Sequence, residues 1–510
     1  MKVIINERDQ DNEKDGVFQF AAGLQDRYDF KKGDVLAIFA PNSIDYVFPV
    51  LGTVAANGAV SPTNPRYSVN ELTHQLKLSK AKILLAHPEN IDIALKAAEN
   101  VGIPKSNILL FGNKSINGVL PYRDVLMKDR RATLVPLTPE EIRSKPCFLC
   151  FSSGTTGLSK GVMTSQYNSI TTTIQYLTLD EYNFPHVKEK SAINFLPLFH
   201  MYALFVVLEV SLRRGSPVYM MAQFDLLEYM AAVQKYRINY AWLVPPVILL
   251  LAKDPRVKNY DLSSLKIVFC AAAPLSKELS EQFGARFNSV AVIQGYGMTE
   301  TSPIVTIEVA KESVPGSCGV VLPNCTVRLV KEDGSDAKKG ETGELWARGP
   351  NMMLGYIDNP EATANTIDKD GWLHTGDIAK VDDQGRFYIV DRIKELIKYK
   401  GFQVPPAELD GILIKSPIVT DCAVVGVYDE KEATEIPRAY VVLKPGVEAN
   451  DKTANEIMQY VKSRVASFKQ IREIRFTDTI PKTASGKVLR RVLKDQIKQE
   501  QEQQSNKSKL

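Results

Sequence analysis

Short apolar runs and longer amphipathic segments alternate along the chain up to about residue 390. The runs at residues 35–39, 82–86, 240–244 and 266–269 have the length and composition of buried strands. Amphipathic segments follow these runs, as at residues 275–287, where the apolar spacing is that of a helix with one buried face. This order of strand and helix predicts α/β layers with largely parallel sheets.

The pattern changes near residue 317 and again near residue 395. Between residues 317 and 354, alternating side chains and the turn Glu332-Asp333-Gly334 predict antiparallel strands or a small barrel. A separate α+β unit is predicted beyond residue 395, with a helix that begins at Pro406 or after it. Its other predicted elements are strands at 421–427 and 439–443 and a helix at 455–466.

Composition mainly excludes classes of protein. A chain of 510 residues is too long for one core, so at least two domains are expected. The net charge of +4 is small for this length and no basic stripe occurs, which argues against nucleic-acid binding. Six scattered cysteines do not form a disulfide scaffold. Cys147-x-x-Cys150 is interpreted as part of a strand core, because no second pair follows it.

The ends of the chain and its longest apolar run bear on location. Residues 1–15 are charged and hold no apolar core of a secretory leader. The run at residues 240–252 contains Pro245-Pro246 and is too short to span a bilayer. The tripeptide Ser508-Lys509-Leu510 matches the address read by the peroxisomal import receptor, so we expect a peroxisomal matrix location.

The most informative chemistry lies in the segment Ser152-Ser153-Gly154-Thr155-Thr156-Gly157-Leu158-Ser159-Lys160-Gly161. An apolar run at residues 147–151 precedes it, which predicts a loop at the end of a buried strand. Glycines let backbone N–H groups approach a ligand, hydroxyls add donors, and Lys160 adds a positive charge, so the loop suits a polyphosphate. The spacing differs from that of a Walker A loop, which excludes that class.

Four further segments carry candidate chemistry, and three of them have a plain structural alternative. Gln294-Gly295-Tyr296-Gly297-Met298-Thr299-Glu300 offers an aromatic plate, a hydroxyl and a carboxylate suited to Mg²⁺, although Gly-x-Gly is common in turns. Gly371-Trp372-Leu373-His374-Thr375-Gly376-Asp377 offers a carboxylate for ribose hydroxyls, or only a turn with an exposed aspartate. Asp391-Arg392-Ile393-Lys394-Glu395-Leu396-Ile397-Lys398-Tyr399-Lys400-Gly401 gathers four cations, or is a solvated face. Pro481-Lys482-Thr483-Ala484-Ser485-Gly486-Lys487 presents a lysine on a loop.

In this order, these segments resemble the acyl-adenylate-forming superfamily of acyl-CoA synthetases, beetle luciferases and peptide-synthetase adenylation domains. The likeness covers roughly residues 20–495 and is greatest to the 4-coumarate–CoA ligase branch. It implies an ATP-dependent acid–CoA ligase that uses Mg²⁺, forms an acyl adenylate and then transfers the acyl group to CoA. It also implies a domain at 1–392 with a shortened N-terminal segment, a hinge at 393–394, a domain at 395–498 that rotates, and a tail at 499–510.

The resemblance assigns roles to residues of this chain. The usual Gly-Ala-Ala-Pro adenine shelf stands here as Ala271-Ala272-Ala273-Pro274, so Ala271 adds one methyl group. The implied ATP and AMP contacts are Ser152, Ser153, Gly154, Thr155, Thr156, Gly157, Lys160, Ala272, Ala273, Pro274, Gly295, Tyr296, Gly297, Met298, Thr299, Asp377 and Arg392, with Glu300 for Mg²⁺. The implied catalytic groups are Lys487 for adenylation, Lys398 and Gln403 after rotation, and His200 beside the substrate carboxylate; Lys394 is the hinge residue, and Tyr399, Lys400 and Gly401 contact CoA.

An apolar acyl pocket is the last implication. Its lining would be Tyr202, Ala203, Val206, Phe269, Ala271 and Ile304, beside Gly295, Gly297 and Met298. No carboxylate occurs at residues 199–206 to bind an α-amino group, which argues against an amino-acid substrate. An arylalkenoic or a medium- to long-chain fatty acid is therefore expected. Two alternatives stay open, a luciferase-like monooxygenase and a catalytically impaired nucleotide-binding relative.

Overall fold

The computed structural model describes residues 2–3, 10–152, 159–393, 395–399, 402–429, 434–465, 467–483 and 486–507. The chain forms two compact units, one from Met1–Val327 with Ala347–His374 and one from Arg328–Trp346 with Thr375–Leu510. The predicted fold class, a large part rich in parallel strands followed by a smaller α+β part, is confirmed. The domain boundary at residues 392–394 stays a prediction, and Lys394 and Ser508-Lys509-Leu510 lie outside the described residues.

The first unit contains two eight-stranded sheets. In one of them the strand order is Gly355–Tyr356, Lys160–Ser165, Pro146–Ser152, Ala59–Thr63, Val35–Phe39, Ala81–Ala86, Ile108–Leu110 and Leu120–Pro121. Neighbours are parallel from Pro146–Ser152 onward, whereas the first three strands are antiparallel. Successive residues of Val35–Phe39 point into two different hydrophobic cores, so the strand is apolar throughout because both faces are covered. Cys147 and Cys150 are buried, as predicted.

The other sheet has parallel strands in its centre and antiparallel strands at its two ends. Its strand order is Lys2–Val3, Val218–Met220, Ala192–Asn194, Tyr240–Leu243, Ile267–Cys270, Ala291–Tyr296, Thr306–Ile307 and Val320–Val321. The five strands from Val218–Met220 to Ala291–Tyr296 are parallel. Their carboxyl ends therefore lie at the same edge, where ligands of open α/β sheets commonly bind.

Helices cover these sheets, and side-chain caps set several of their ends. The predicted helix at 275–287 is observed as Lys277–Arg286, because the Ser276 side chain accepts a hydrogen bond from the Leu279 N–H. A π-helical segment, Tyr202–Glu209, runs directly into the helix Val210–Arg214. None of the helices in the described ranges has the length and apolar character needed to cross a membrane. The other helices of this unit are Gln10–Tyr28, Val47–Ala55, Val69–Ser79, Ile91–Val101, Tyr122–Leu126, Pro139–Ser144, Gln166–Asn183, Leu226–Tyr236, Pro245–Lys253 and Pro360–Ala364.

The second unit and the strands that lead into it contain small sheets and, in the ranges given above, three helices. Helix Pro406–Leu413 begins at Pro406, as predicted. Helix Asp451–Lys462 begins four residues before the predicted position 455, because the Asn450 side chain accepts from the Thr453 N–H at 2.9 Å. The third helix is Arg490–Lys507. The sheets are Thr326–Val330 with Gly343–Arg348, Leu373–Val381 and Phe387–Arg392; Ile397–Tyr399 with Phe402–Val404; and Val419–Asp429 with Thr434–Leu443 and Glu473–Phe476.

Close packing of the helix Gln10–Tyr28 gives a test of the fold. A Cβ atom on Gly23 would lie 2.3 Å from the carbonyl oxygen of Leu126, a backbone atom that no side-chain rotation can move. We expect Gly23→Ala to lower the free energy of unfolding by about 1–3 kcal/mol in urea denaturation. Gly284→Ala is the matched control, since nothing lies within 4 Å of a Cβ there. It should leave stability unchanged or raise it by up to about 1 kcal/mol, and equal losses in both variants would contradict this packing.

Candidate nucleotide and acyl site

The predicted phosphate loop connects two antiparallel strands. Ser152 ends Pro146–Ser152, Lys160 begins Lys160–Ser165, and the two residues are paired across the hairpin. The strand expected before the loop is therefore confirmed, and the sheet holds both ends of the loop together. The predicted phosphate contacts Ser153, Gly154, Thr155, Thr156 and Gly157 lie outside the described residues.

A buried carboxylate lies against the base of this hairpin. Glu300, on the short 3₁₀ turn Thr299–Thr301, is only 5% exposed. Its Oε1 accepts hydrogen bonds from Ser152 Oγ at 3.0 Å and from Tyr356 Oη at 2.7 Å. No basic side chain in the described part of the chain forms an ion pair with it. A buried carboxylate without a cationic partner needs a compensating charge, and a divalent cation with oxygen ligands meets that need.

Sequence reasoning missed Tyr356. This residue lies on the short strand Gly355–Tyr356, which pairs with Lys160–Ser165 through Tyr356 and Val162. Burial and the negative charge of Glu300 both raise the pKa of the phenol. A Gly-Tyr pair carries no local signal of this contact, because its partner lies 56 residues away along the chain.

The predicted adenine shelf and the segment Gly295–Thr299 lie side by side. Ile267–Cys270 is in parallel register with Ala291–Tyr296, so the residues that follow these strands emerge at one edge. Ala272 of the shelf has a positive φ of 73°, which is uncommon for a residue with a Cβ. The other residues of the shelf are Ala271, Ala273 and Pro274. Directly after them, the Leu275 N–H donates a hydrogen bond to Gln294 Oε1 at 3.2 Å. This hydrogen bond fixes the end of the adenine shelf to the residue that precedes Gly295.

The candidate acyl residues Tyr202, Ala203, Val206, Phe269 and Ile304 belong to one apolar core. The Tyr202 hydroxyl donates to the carbonyl oxygen of Phe269 at 3.0 Å. A Cβ on Gly295 would lie 2.6 Å from Cζ of Phe269, so that ring fills the space directly against the glycine. Ala203, Val206 and Phe269 are fully buried, and Ile304 is nearly so. Gly297 is required next to Ile304, because a Cβ there would lie 2.7 Å from its Cα.

His200 lies immediately before the π-helical segment. Its carbonyl oxygen accepts from the Leu204 N–H at 3.0 Å, and the Phe199 ring lies 4.5 Å from the imidazole. Removal from water lowers the pKa of His200 to about 4. The imidazole is therefore neutral at physiological pH and brings no positive charge to a bound carboxylate.

In the second unit, the two predicted ribose residues contact each other. Asp377 and Arg392 are register partners on adjacent antiparallel strands, and Arg392 Nε lies 3.0 Å from Asp377 Oδ1. Asp377 lies within a strand and is 4% exposed, so the alternative of a turn with an exposed aspartate is wrong. Asp391 is 5% exposed and accepts from the Ala407 N–H, so a solvated face is wrong for that end of the basic segment.

The residues predicted for the second reaction step are only partly described. Lys398 and Gln403 are register partners in a two-stranded ribbon, but their side chains, like Lys400 and Gly401, lie outside the described residues. The Tyr399 hydroxyl accepts from Arg472 Nη2 at 3.2 Å. The Lys487 N–H donates to Thr483 Oγ1 at 3.0 Å. The predicted roles of these residues stay predictions.

A buried ionic cluster follows Lys487 and was also missed from the sequence. Arg490 donates to Glu395 Oε2 at 2.5 Å and to Asp410 Oδ2, and its Nε donates to the carbonyl oxygen of Val424. Burial raises the pKa of Asp410 to about 6. The cluster ties the start of the last helix to Glu395, so the chain just after Lys487 is anchored beside the predicted hinge.

The sheets, the hairpin and the buried carboxylate together are those of a nucleotide-binding α/β enzyme with a second unit. Residues 14–357 match the AMP-binding enzyme family, and residues 408–487 match the AMP-binding enzyme C-terminal domain. The chain belongs to the AMP-binding enzyme family.

Relatives and solved structures agree with this membership. The chain is 38% identical over 483 residues to 4-coumarate–CoA ligase 3 of Oryza sativa subsp. japonica, covering 94% of this chain and 85% of that protein. It is 39% identical over 487 residues to 4-coumarate–CoA ligase 3 of Arabidopsis thaliana, covering 94% and 84%. ATP-bound MatB from Rhodopseudomonas palustris matches with a TM-score of 0.83 at 26% identity, covering 94% of this chain and 92% of that one. A benzoate CoA ligase from Burkholderia xenovorans LB400, at 22% identity, shares the fold with a TM-score of 0.82, covering 94% and 93%.

Proposed function

We propose that the protein is an ATP-dependent acid–CoA ligase. A carboxylic acid attacks the α-phosphorus of ATP to give an acyl adenylate and pyrophosphate, and the CoA thiol then displaces AMP to give the thioester. The observation that carries the proposal is the buried Glu300 carboxylate at the base of the hairpin between Ser152 and Lys160. The names of the relatives, 4-coumarate–CoA ligases, support the same reaction class.

The first half-reaction needs positive charge around an anionic triphosphate. A carboxylate is a weak nucleophile toward such a group, so the proposed roles of Lys160 and Lys487 are to neutralise charge as the acyl–phosphate bond forms. Mg²⁺ held by Glu300 would supply further charge neutralisation when bound. The Asp377–Arg392 pair would hold the ribose, and Tyr296 the adenine, which positions the α-phosphate.

The second half-reaction needs a different set of groups, since AMP is now the leaving group and a thiol the nucleophile. We assign Lys398 and Gln403 to this step, with Tyr399, Lys400 and Gly401 along the CoA path and Lys394 as the hinge. The order and residue types of the segment 391–401 support this assignment through the resemblance described above. His200 is neutral, so it would lie beside the substrate carboxylate without forming an ion pair with it.

The apolar surroundings of Tyr202, Val206 and Phe269 support an arylalkenoic or fatty acid as substrate. We expect CoA-dependent AMP release with 4-coumarate-like acids or medium- to long-chain fatty acids when purified protein is given a panel of acids. Amino acids should give no product, since no carboxylate lies at residues 199–206 to pair with an α-ammonium group. Turnover of amino acids alone would refute this substrate class.

Lys487 separates the two half-reactions. Replacement by alanine should lower the rate of acyl-adenylate formation by about 10²–10³, because one charge contact in the transition state is lost. Thioester formation from preformed acyl adenylate and CoA should stay near the wild-type rate. Lys482→Ala is the matched control, because that lysine lies on the same loop but pairs with Asp421. Equal loss in both half-reactions would contradict the assignment.

We also propose a peroxisomal matrix location, supported by the terminal Ser508-Lys509-Leu510. A fusion with a fluorescent protein at the N-terminus should colocalise with a peroxisomal marker, and deletion of the tripeptide should disperse it into the cytosol. The purified deletion variant should keep its ligase activity, since the tripeptide is only an address. Peroxisomal fluorescence that survives the deletion would overturn the proposal.

A further inference from the structure

Tyr356 contacts both charged groups at the base of the phosphate hairpin. Its hydroxyl donates to Glu300 Oε1 at 2.7 Å, and Lys160 Nζ lies 4.9 Å from the centre of its ring. We propose that Tyr356 is a positioning residue that orients the Glu300 carboxylate for Mg²⁺ and holds the Lys160 ammonium toward the phosphates. This inference rests on the proposed function, because it assumes that Glu300 and Lys160 serve a magnesium–ATP complex.

The hydrogen bonds to Glu300 are distributed unequally over its two oxygens. Ser152 and Tyr356 both donate to Oε1, and Oε2 takes no hydrogen bond from the described residues. Two donors on one oxygen fix the rotation of the carboxyl group, while Oε2 keeps its lone pairs. Carboxylates that bind metals are commonly oriented by such outer partners, and loss of one typically weakens metal binding by about 10- to 100-fold.

Strand pairing explains why the ring also meets Lys160. Tyr356 is opposite Val162, and Lys160 is two residues before Val162 on the same strand. Residues two apart share a face of a strand, so Lys160 is the diagonal neighbour of Tyr356. A lysine ammonium within about 6 Å of an aromatic centroid is attracted to the ring face. The ring therefore favours one direction of a long side chain that has many rotamers.

The surroundings of Tyr356 hold it in place next to Glu300. The residue is 6% exposed, and its short strand is fixed at the hairpin by the pairing of Gly355 with Met163. The turn that carries Glu300 is bound to the same stretch of chain, since Asn351 Nδ2 donates to the carbonyl oxygens of Thr301 at 3.0 Å and Ile304 at 2.6 Å.

Two substitutions separate the hydroxyl from the ring. Tyr356→Phe keeps the ring beside Lys160 and removes only the donor to Glu300. We expect the Mg²⁺ concentration for half-maximal ATP binding, measured by calorimetry, to rise about 10-fold or more, with the acyl-adenylation rate largely recovered at saturating Mg²⁺. Tyr356→Leu also removes the ring, so ATP should bind more weakly even at saturating Mg²⁺.

The matched control is Tyr240→Phe. Tyr240 is a fully buried phenol in the same unit that donates to the buried Asp180 at 2.9 Å, in a cluster with Lys190 and Arg214. It should lower thermal stability without shifting the Mg²⁺ dependence of ATP binding. The thermal midpoint of every variant identifies those that fail to fold.

The outcomes are distinct. An unchanged Mg²⁺ dependence in folded Tyr356→Phe, or an equal loss of ATP binding at all Mg²⁺ concentrations, overturns the positioning role. If the wild-type protein forms acyl adenylate, either of these results contradicts this inference and leaves the proposed function standing. Wild-type protein that binds no ATP with Mg²⁺ and activates no acid overturns the proposed function instead.

Discussion

The candidate site depends on one buried negative charge. Glu300 is removed from water, and a carboxylate in that position is costly unless hydrogen bonds and a cation compensate it. Ser152 and Tyr356 supply the hydrogen bonds from 148 and 56 residues away. The hairpin, the 3₁₀ turn and the strand Gly355–Tyr356 must therefore come together correctly before the carboxylate can be accommodated. Lys160 lies on the same hairpin, with its Nζ 4.9 Å from the centre of the Tyr356 ring.

The parallel strands bring the predicted adenine and acyl residues together, as the hairpin brings together the two ends of the predicted phosphate loop. Because Tyr240–Leu243, Ile267–Cys270 and Ala291–Tyr296 run in one direction, the loops after them share an edge. Phe269 lies in the middle strand and fills the space against Gly295, so the glycine is needed for packing as well as for access. Ala271 directly follows the strand Ile267–Cys270 that carries Phe269, so the adenine shelf and this acyl residue are neighbours in the chain.

Much of the fold could be predicted because local patterns reflect local physics. The run at residues 35–39 is a strand with those bounds, and its five apolar side chains are buried because both faces of the strand are covered. Pro406 marked the start of a helix, because proline fits the first helical turn. The helix predicted from 455 was placed four residues late, because a single capping asparagine outweighed the apolar spacing. The sequence around Asp377 indicated a functional role but did not indicate that the side chain is buried, because its burial depends on neighbouring strands.

The sequence alone determined the class of fold, the order of the functional segments and the residue types offered to a nucleotide, since strand and helix periods and motif spacing are properties of contiguous residues. The tertiary structure alone decided which of those residues meet. It paired Asp377 with Arg392. It placed Tyr356 against Glu300 and Lys160. It also placed Arg490 against Glu395 and Asp410. The physical reason is that a buried polar or charged group is stable only when it has hydrogen-bonding or oppositely charged partners. Those partners are supplied by sheet register and helix packing between segments that are distant in the chain.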